Sequence, residues 1–241
     1  MAEIETDLDT FPKILARNAK DYGNSPAYRE KEYGIWQTWT WSEANDEIMN
    51  LAKGLIKLGV KEGDHVAVIG RNRPYLYWSL IAAQQIGAVP VPLYQDAVAD
   101  EMEYILTHCS AKYAIVGDQE QVDKIQEIQE KVKALKDIVY VDPKGLRKYD
   151  KSTLHPFSEV SASGKSDKGE LKAELDKRLV KITGDTTSVL LYTSGTTGKS
   201  KGVVQTHRAI IGASSGANEL DRWSPRDHLV CYLPMAWVGD F

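Results

Sequence analysis

Residues Tyr192 to Gly202 read Tyr-Thr-Ser-Gly-Thr-Thr-Gly-Lys-Ser-Lys-Gly, directly after the apolar run Ser188-Val189-Leu190-Leu191. Such a composition is suited to holding phosphate. Glycine lets the backbone come close to a ligand and adopt positive φ. Successive backbone amides can then form a concave anion nest. Serine and threonine hydroxyls donate to phosphate oxygens, and lysine adds a mobile positive charge.

Two other readings compete. Gly198-Lys199-Ser200 fits the end of a Walker A loop, Gly-x-x-x-x-Gly-Lys-Ser/Thr, which would make the chain a P-loop NTPase, an ATPase or kinase. The first glycine of that pattern falls on Thr193, however, and a Walker helix should open at the lysine. Gly202 would cost such a helix about 1 kcal/mol, and Val203-Val204 suits a strand better. The third reading is a Ser/Gly/Thr linker without a ligand.

The order of further segments favours the first reading. Tyr192 to Gly198, with Lys201, Gly202 and Val203, resembles the phosphate-binding motif of the adenylate-forming (AMP-binding) superfamily, Tyr/Phe-Thr-Ser-Gly-Thr-Thr-Gly-x-Pro-Lys-Gly-Val. Ser200 stands where proline is usual. Trp39-Thr40-Trp41-Ser42-Glu43, Leu58 to Ala67, Gly87 to Tyr94 and Leu233-Pro234-Met235-Ala236-Trp237 resemble further segments of that family in the same order. The flavour is that of the long-chain fatty acyl-CoA synthetases.

The resemblance implies a two-step reaction. A carboxylate attacks the α-phosphate of ATP to give an acyl-adenylate and pyrophosphate, and the thiol of CoA then takes the acyl group. ATP, Mg²⁺ and CoA are the implied cofactors and co-substrates. The ATP phosphates would be held by Thr193, Ser194, Gly195, Thr196, Thr197, Gly198 and Lys201, with Lys199 facing solvent. His207 and Trp237 are candidates for positions beside the site or the acyl pocket. Many relatives carry histidine at the Trp237 position, and the role of Asp240 is left open. No catalytic residue is assigned within residues 1–241. The family's later Tyr-Gly-x-Thr-Glu motif, ribose-binding aspartate and late catalytic lysine are not in this sequence. Residues 1–241 are therefore expected to be part of a large N-terminal domain, without the C-terminal domain and inactive alone. The alternative is a truncated, non-catalytic fragment that binds phosphate or nucleotide.

Composition bounds the rest. The 241 residues are 42% hydrophobic and 27% charged, with a net charge of −4. That is an ordinary globular mixture long enough to bury a large core. It has no basic block of the kind that binds nucleic acid. No apolar run approaches the roughly 20 residues of a spanning helix. Small-molecule substrates are the expected partners. A peripheral membrane contact would suit a fatty-acid enzyme, although the sequence offers no anchor. The oligomeric state is not legible. The acidic start Met1-Ala2-Glu3-Ile4-Glu5 is unlike a secretory signal. Cys109 and Cys231 are too few for a disulfide framework, so a cytoplasmic setting is expected.

The elements that must position the loop follow from periodicity. Helices are predicted over Pro12–Lys20, from the capping box Thr40-x-x-Glu43 to Gly59, over Pro74–Ile86, Asp100–His108, Gln119–Leu135 and Leu171–Leu179, and from about His207 to Leu220. Strands are predicted at Val66–Gly70, Val89–Pro92, Tyr113–Gly117, Ile138–Val141, Thr187–Tyr192 and His228–Leu233. The alternation argues for an α/β fold, a mostly parallel sheet with helices on both faces. Ser158 to Gly169, rich in Ser, Gly, Lys and Asp, reads as an exposed loop or insertion. The tryptophans other than Trp237 read as core or half-buried anchors.

Overall fold

The computed structural model describes residues 8–193, 199–237 and 239. The chain opens with α1 (Phe11–Asp21), capped by Thr10, whose side chain accepts from the Lys13 amide. A hairpin follows, β1 (Pro26–Glu32) and β2 (Ile35–Thr40), to which sequence reading assigns no element. Its turn residues Tyr33 and Gly34 both have positive φ, +48° and +80°, the geometry that two-residue hairpins favour.

Helix α2 (Trp41–Leu58) begins where the sequence predicts. The Thr40 side chain accepts from the Glu43 amide, and Glu43 Oε2 accepts in return from the Thr40 amide at 2.8 Å. Gly59, at φ +102°, ends the helix, a conformation that costs other residues steric strain. The face bearing Ala44, Ile48, Leu51, Ala52 and Leu55 is fully buried. Each large aliphatic side chain buried in this way contributes roughly 1.5–3 kcal/mol.

A parallel α/β unit is next: β3 (His65–Ile69), α3 (Pro74–Gln85), β4 (Val89–Leu93), α4 (Ala99–His108), β5 (Tyr113–Val116), α5 (Gln119–Ile128), β6 (Asp137–Tyr140) and β7 (Leu154–Pro156). The strands form one parallel sheet in the order β4-β3-β5-β6-β7. Strand β4, with Pro90 and Pro92, ends that sheet, where a missing donor breaks no ladder. Side-chain alternation divides the interior in two. Val66, Val68 and Ile115 face one core with α2 and α3. Ala67, Ile69, Ala114 and Val116 face the other with α4 and α5. The predicted two-sided α/β layering is thus realised.

Three predicted elements are corrected. Helix α5 ends at Ile128 rather than Leu135, and turns carry the chain to β6. Most of the segment read as an exposed loop, residues 158–169, is the helix α6 (Phe157–Lys165). Its Phe157, Val160, Ser161 and Gly164 are buried against α2. The low apolar content misleads because the contact is made by backbone. A Cβ on Gly54 would lie 2.1 Å from the Val160 carbonyl oxygen, and one on Gly164 would lie 2.0 Å from that of Asn50. Small residues let the two helices touch, and polarity-based reading takes them for a loop. Third, residues 228–233 form no strand. Leu229, Val230 and Tyr232 are exposed, and the Asn72 amide donates to the carbonyls of Cys231 and Leu233. A strand needs a ladder of partners, and no strand among the described residues supplies one.

After α7 (Glu170–Leu179) the chain forms a second antiparallel hairpin, β8 (Thr187–Thr193) and β9 (Lys201–Thr206), and then α8 (His207–Asp221). This hairpin is separate from the main sheet but packs against β4. Two bonds fix its placement. The buried Gln84 amide, at the end of α3, donates to the Ser188 carbonyl at 3.0 Å and to its hydroxyl at 2.9 Å. Arg178 of α7 is also buried and donates to the carbonyls of Val60 (3.0 Å) and Ile86 (3.4 Å), joining α7 to the ends of α2 and α3.

Candidate phosphate-binding site

The loop is the connection between β8 and β9. Ser194, Gly195, Thr196, Thr197 and Gly198 lie outside the described residues. The two flanking candidates, Thr193 and Lys201, are register partners at the open end of the hairpin, and both are exposed. Register partners in an antiparallel pair stand about 5 Å apart at their Cα atoms, so the Thr193 and Lys201 backbones are paired at the mouth of the loop. Beyond Lys201 the chain continues as a strand. A Walker loop would open a helix there, and the strand forecast from Val203-Val204 is the one observed.

One turn of α4 backs the loop. The Tyr104 hydroxyl donates to the Ser200 carbonyl at 3.0 Å, and the Lys199 ammonium lies over the Tyr104 ring, 5.4 Å from its centroid. Lys199 is exposed, as expected, although it is not without contact. His108 Nδ1 meets the Tyr192 hydroxyl at 2.6 Å. Burial raises the Tyr192 pKa, so the phenol keeps its proton, and its hydroxyl also meets the Cys109 thiol. Sequence reading missed Tyr104 and His108. Their spacing of four residues on a helix was the available signal, with nothing to show what they faced.

The structure places His207 away from the mouth of the loop. It stands just after β9, whose other end carries Lys201, so the length of a six-residue strand, roughly 20 Å, separates it from the loop. It is fully buried. Its Nδ1 accepts from the Phe11 amide at 3.4 Å, and its ring packs at 5.6 Å on that of Phe11. Burial lowers its pKa to about 4, and it therefore serves as a neutral core residue joining α1 to α8. Trp237 is half-exposed, with its ring edge-on to Tyr94 at 6.0 Å. Tyr94 helps line a cleft of about 210 Å³ with Gly70, Arg71, Asp96, Leu233 and Met235, beyond the C-terminal ends of β3 and β4. Of the other tryptophans, Trp78 is buried and Trp39 and Trp41 are half-buried, whereas Trp36 and Trp223 are exposed. Cys109 is buried, which raises its thiol pKa to about 11, and Cys231 is exposed.

Among the described residues, no three His, Cys, Asp or Glu side chains converge on a metal-sized site. No helix among them is long and apolar enough to cross a membrane.

Residues 15–241 match the AMP-binding enzyme family, and the chain belongs to that family. It is 28% identical over 234 residues to the long-chain-fatty-acid–CoA ligase FadD15 of Mycobacterium tuberculosis, covering 95% of this chain and 37% of that protein. It is 26% identical to the long-chain-fatty-acid–CoA ligase ACSBG2 of Xenopus laevis, over 95% of this chain and 31% of that one. The crystal structure of the N-terminal domain of FACL13 from Mycobacterium tuberculosis superposes with a TM-score of 0.79 at 26% identity, covering 96% of this chain and 52% of that one. The chain spans only about a third of the length of the curated relatives it matches, and its α/β fold is that of the N-terminal domains of adenylate-forming ligases.

Proposed function

We propose that the intact protein is an ATP-dependent acyl-CoA synthetase and that residues 192–202 hold the phosphates of ATP. The observation that carries this reading is the strand–loop–strand hairpin with Thr193 and Lys201 paired at its mouth, in a chain of the AMP-binding family. The hydroxyls of Thr193, Ser194, Thr196 and Thr197, the amides of Gly195 and Gly198 and the Lys201 ammonium would hold the β- and γ-phosphates. Those two phosphates leave as pyrophosphate when the substrate carboxylate attacks the α-phosphorus. Charge held by fixed donors is then stabilised as the bond to the leaving group breaks. The CoA sulfur next attacks the acyl carbon and releases AMP. The donor set suits a magnesium–nucleotide complex brought in as substrate, because Mg²⁺ commonly keeps water and phosphate ligands rather than a protein cage. The printed names of the relatives support a long-chain fatty acid as the carboxylate.

The test is exchange of labelled pyrophosphate into ATP by the intact protein with and without a fatty acid. Lys201→Ala and Thr196→Ala should each lower the acid-dependent exchange by roughly 10²-fold. Unchanged exchange in both variants would remove the loop from the mechanism. Products of ADP and phosphate, in place of AMP and pyrophosphate, would refute the ligase reading altogether.

A further inference from the structure

Tyr104 and His108 are four residues apart on α4 and so lie on one face, about one helical turn from each other. They reach opposite ends of the same loop. His108 Nδ1 meets the Tyr192 hydroxyl at 2.6 Å on the β8 side. Tyr104 donates to Ser200 and lies beneath Lys199 on the β9 side. Helix α4 is itself anchored by Met102 and Leu106, both fully buried in the core beneath the sheet. The two ends of the loop are therefore tied to one rigid element as well as to each other. Serine at position 200 leaves φ free where a proline would fix it, so the Tyr104 hydroxyl restrains backbone that the residue type does not.

We propose that Tyr104 and His108 are positioning residues that bracket the phosphate loop and hold its two ends ready for an anion of the pyrophosphate class. This rests on the phosphate-binding reading above. Neither side chain touches the reacting atoms. They act by removing conformational freedom that phosphate binding would otherwise have to remove. Tyr104→Phe keeps the ring under Lys199 and deletes only the donor to Ser200. Tyr192→Phe keeps the ring against His108 and deletes the hydroxyl that meets the imidazole and the Cys109 thiol.

Amide hydrogen exchange in a peptide spanning residues 193–202 tests the bracket directly, with a β5 peptide as the internal control and pyrophosphate titration alongside. Loss of one net hydrogen bond is expected to speed exchange in the loop peptide by roughly threefold to tenfold and to weaken pyrophosphate binding by a similar factor. The β5 peptide should be unaltered. Unchanged loop exchange in both variants would overturn the proposal. So would acceleration of the loop and β5 peptides together, which would mean general loosening. Failure of the parent protein to bind pyrophosphate would instead count against the phosphate-binding reading, and the bracket would still be decided by exchange.

Discussion

His207 makes the stability of this fold depend on acid in a way that can be worked out in advance. The imidazole is buried at the junction of α1 and α8 with its pKa lowered to about 4. The largest cause is burial. Asp9 pulls the pKa back up, and Lys13 adds a smaller depression. In the unfolded chain the group should titrate near its ordinary 6.5. The neutral form is thus the one the fold accepts. Its contribution is fully present above about pH 6.5 and is lost as pH falls toward 4. Between pH 7 and pH 5 the unfolded chain takes up most of a proton that the folded chain refuses. At about 1.4 kcal/mol per pKa unit, this costs about 2 kcal/mol by pH 5. The assay is urea unfolding from pH 7.5 to 4.5 on the parent chain and on His207→Asn, whose amide oxygen can still accept from Phe11. Other histidines and carboxylates cancel in the difference. The parent should lose about 2 kcal/mol more than the variant between pH 7 and pH 5. Parallel curves would refute the buried, neutral assignment.

Two further outcomes follow from packing. Gly54→Ala and Gly164→Ala should each destabilise by about 1–3 kcal/mol or more, although alanine is the better helix former by about 1 kcal/mol. The added methyl would meet backbone oxygen at 2.1 Å and 2.0 Å respectively. A rise in melting temperature for either variant would show that α2 and α6 are not in backbone contact. Arg178→Met keeps much of the side-chain length but leaves the carbonyls of Val60 and Ile86 without their donor. A loss of about 1–3 kcal/mol in urea unfolding is expected, and an unchanged midpoint would remove Arg178 from the account of how α7 is held.

Much of this protein is readable locally. The capping box at Thr40–Glu43, the helix starting at Pro74, the proline-bearing edge strand β4 and the loop after Leu191 are set by residues within a few positions of one another. Near neighbours in sequence suffice to specify caps, turns and apolar periods. The parallel sheet also follows, because continuous apolar strands alternating with helices leave few other ways to cover both faces. The same locality makes the loop motif legible: its glycines, hydroxyls and lysines are contiguous, so the motif can be read without the fold.

What the sequence could not settle depends on distance in space. Residues 157–165 form a helix because Gly54 and Gly164 let two backbones meet, and that partner lies about a hundred positions away. Residues 228–233 have strand composition yet lack a ladder among the described residues. His207 looks close to the loop in sequence, but an extended strand of six residues carries it to the far end of the hairpin. Tyr104 and His108 lie some ninety residues before the loop, and the fold sets them against it. Sequence by itself determined most of the alternating helices and strands, through interactions between near neighbours, and suggested the chemistry of the loop. Tertiary structure decided which distant side chains meet, because packing joins surfaces without regard to their separation along the chain.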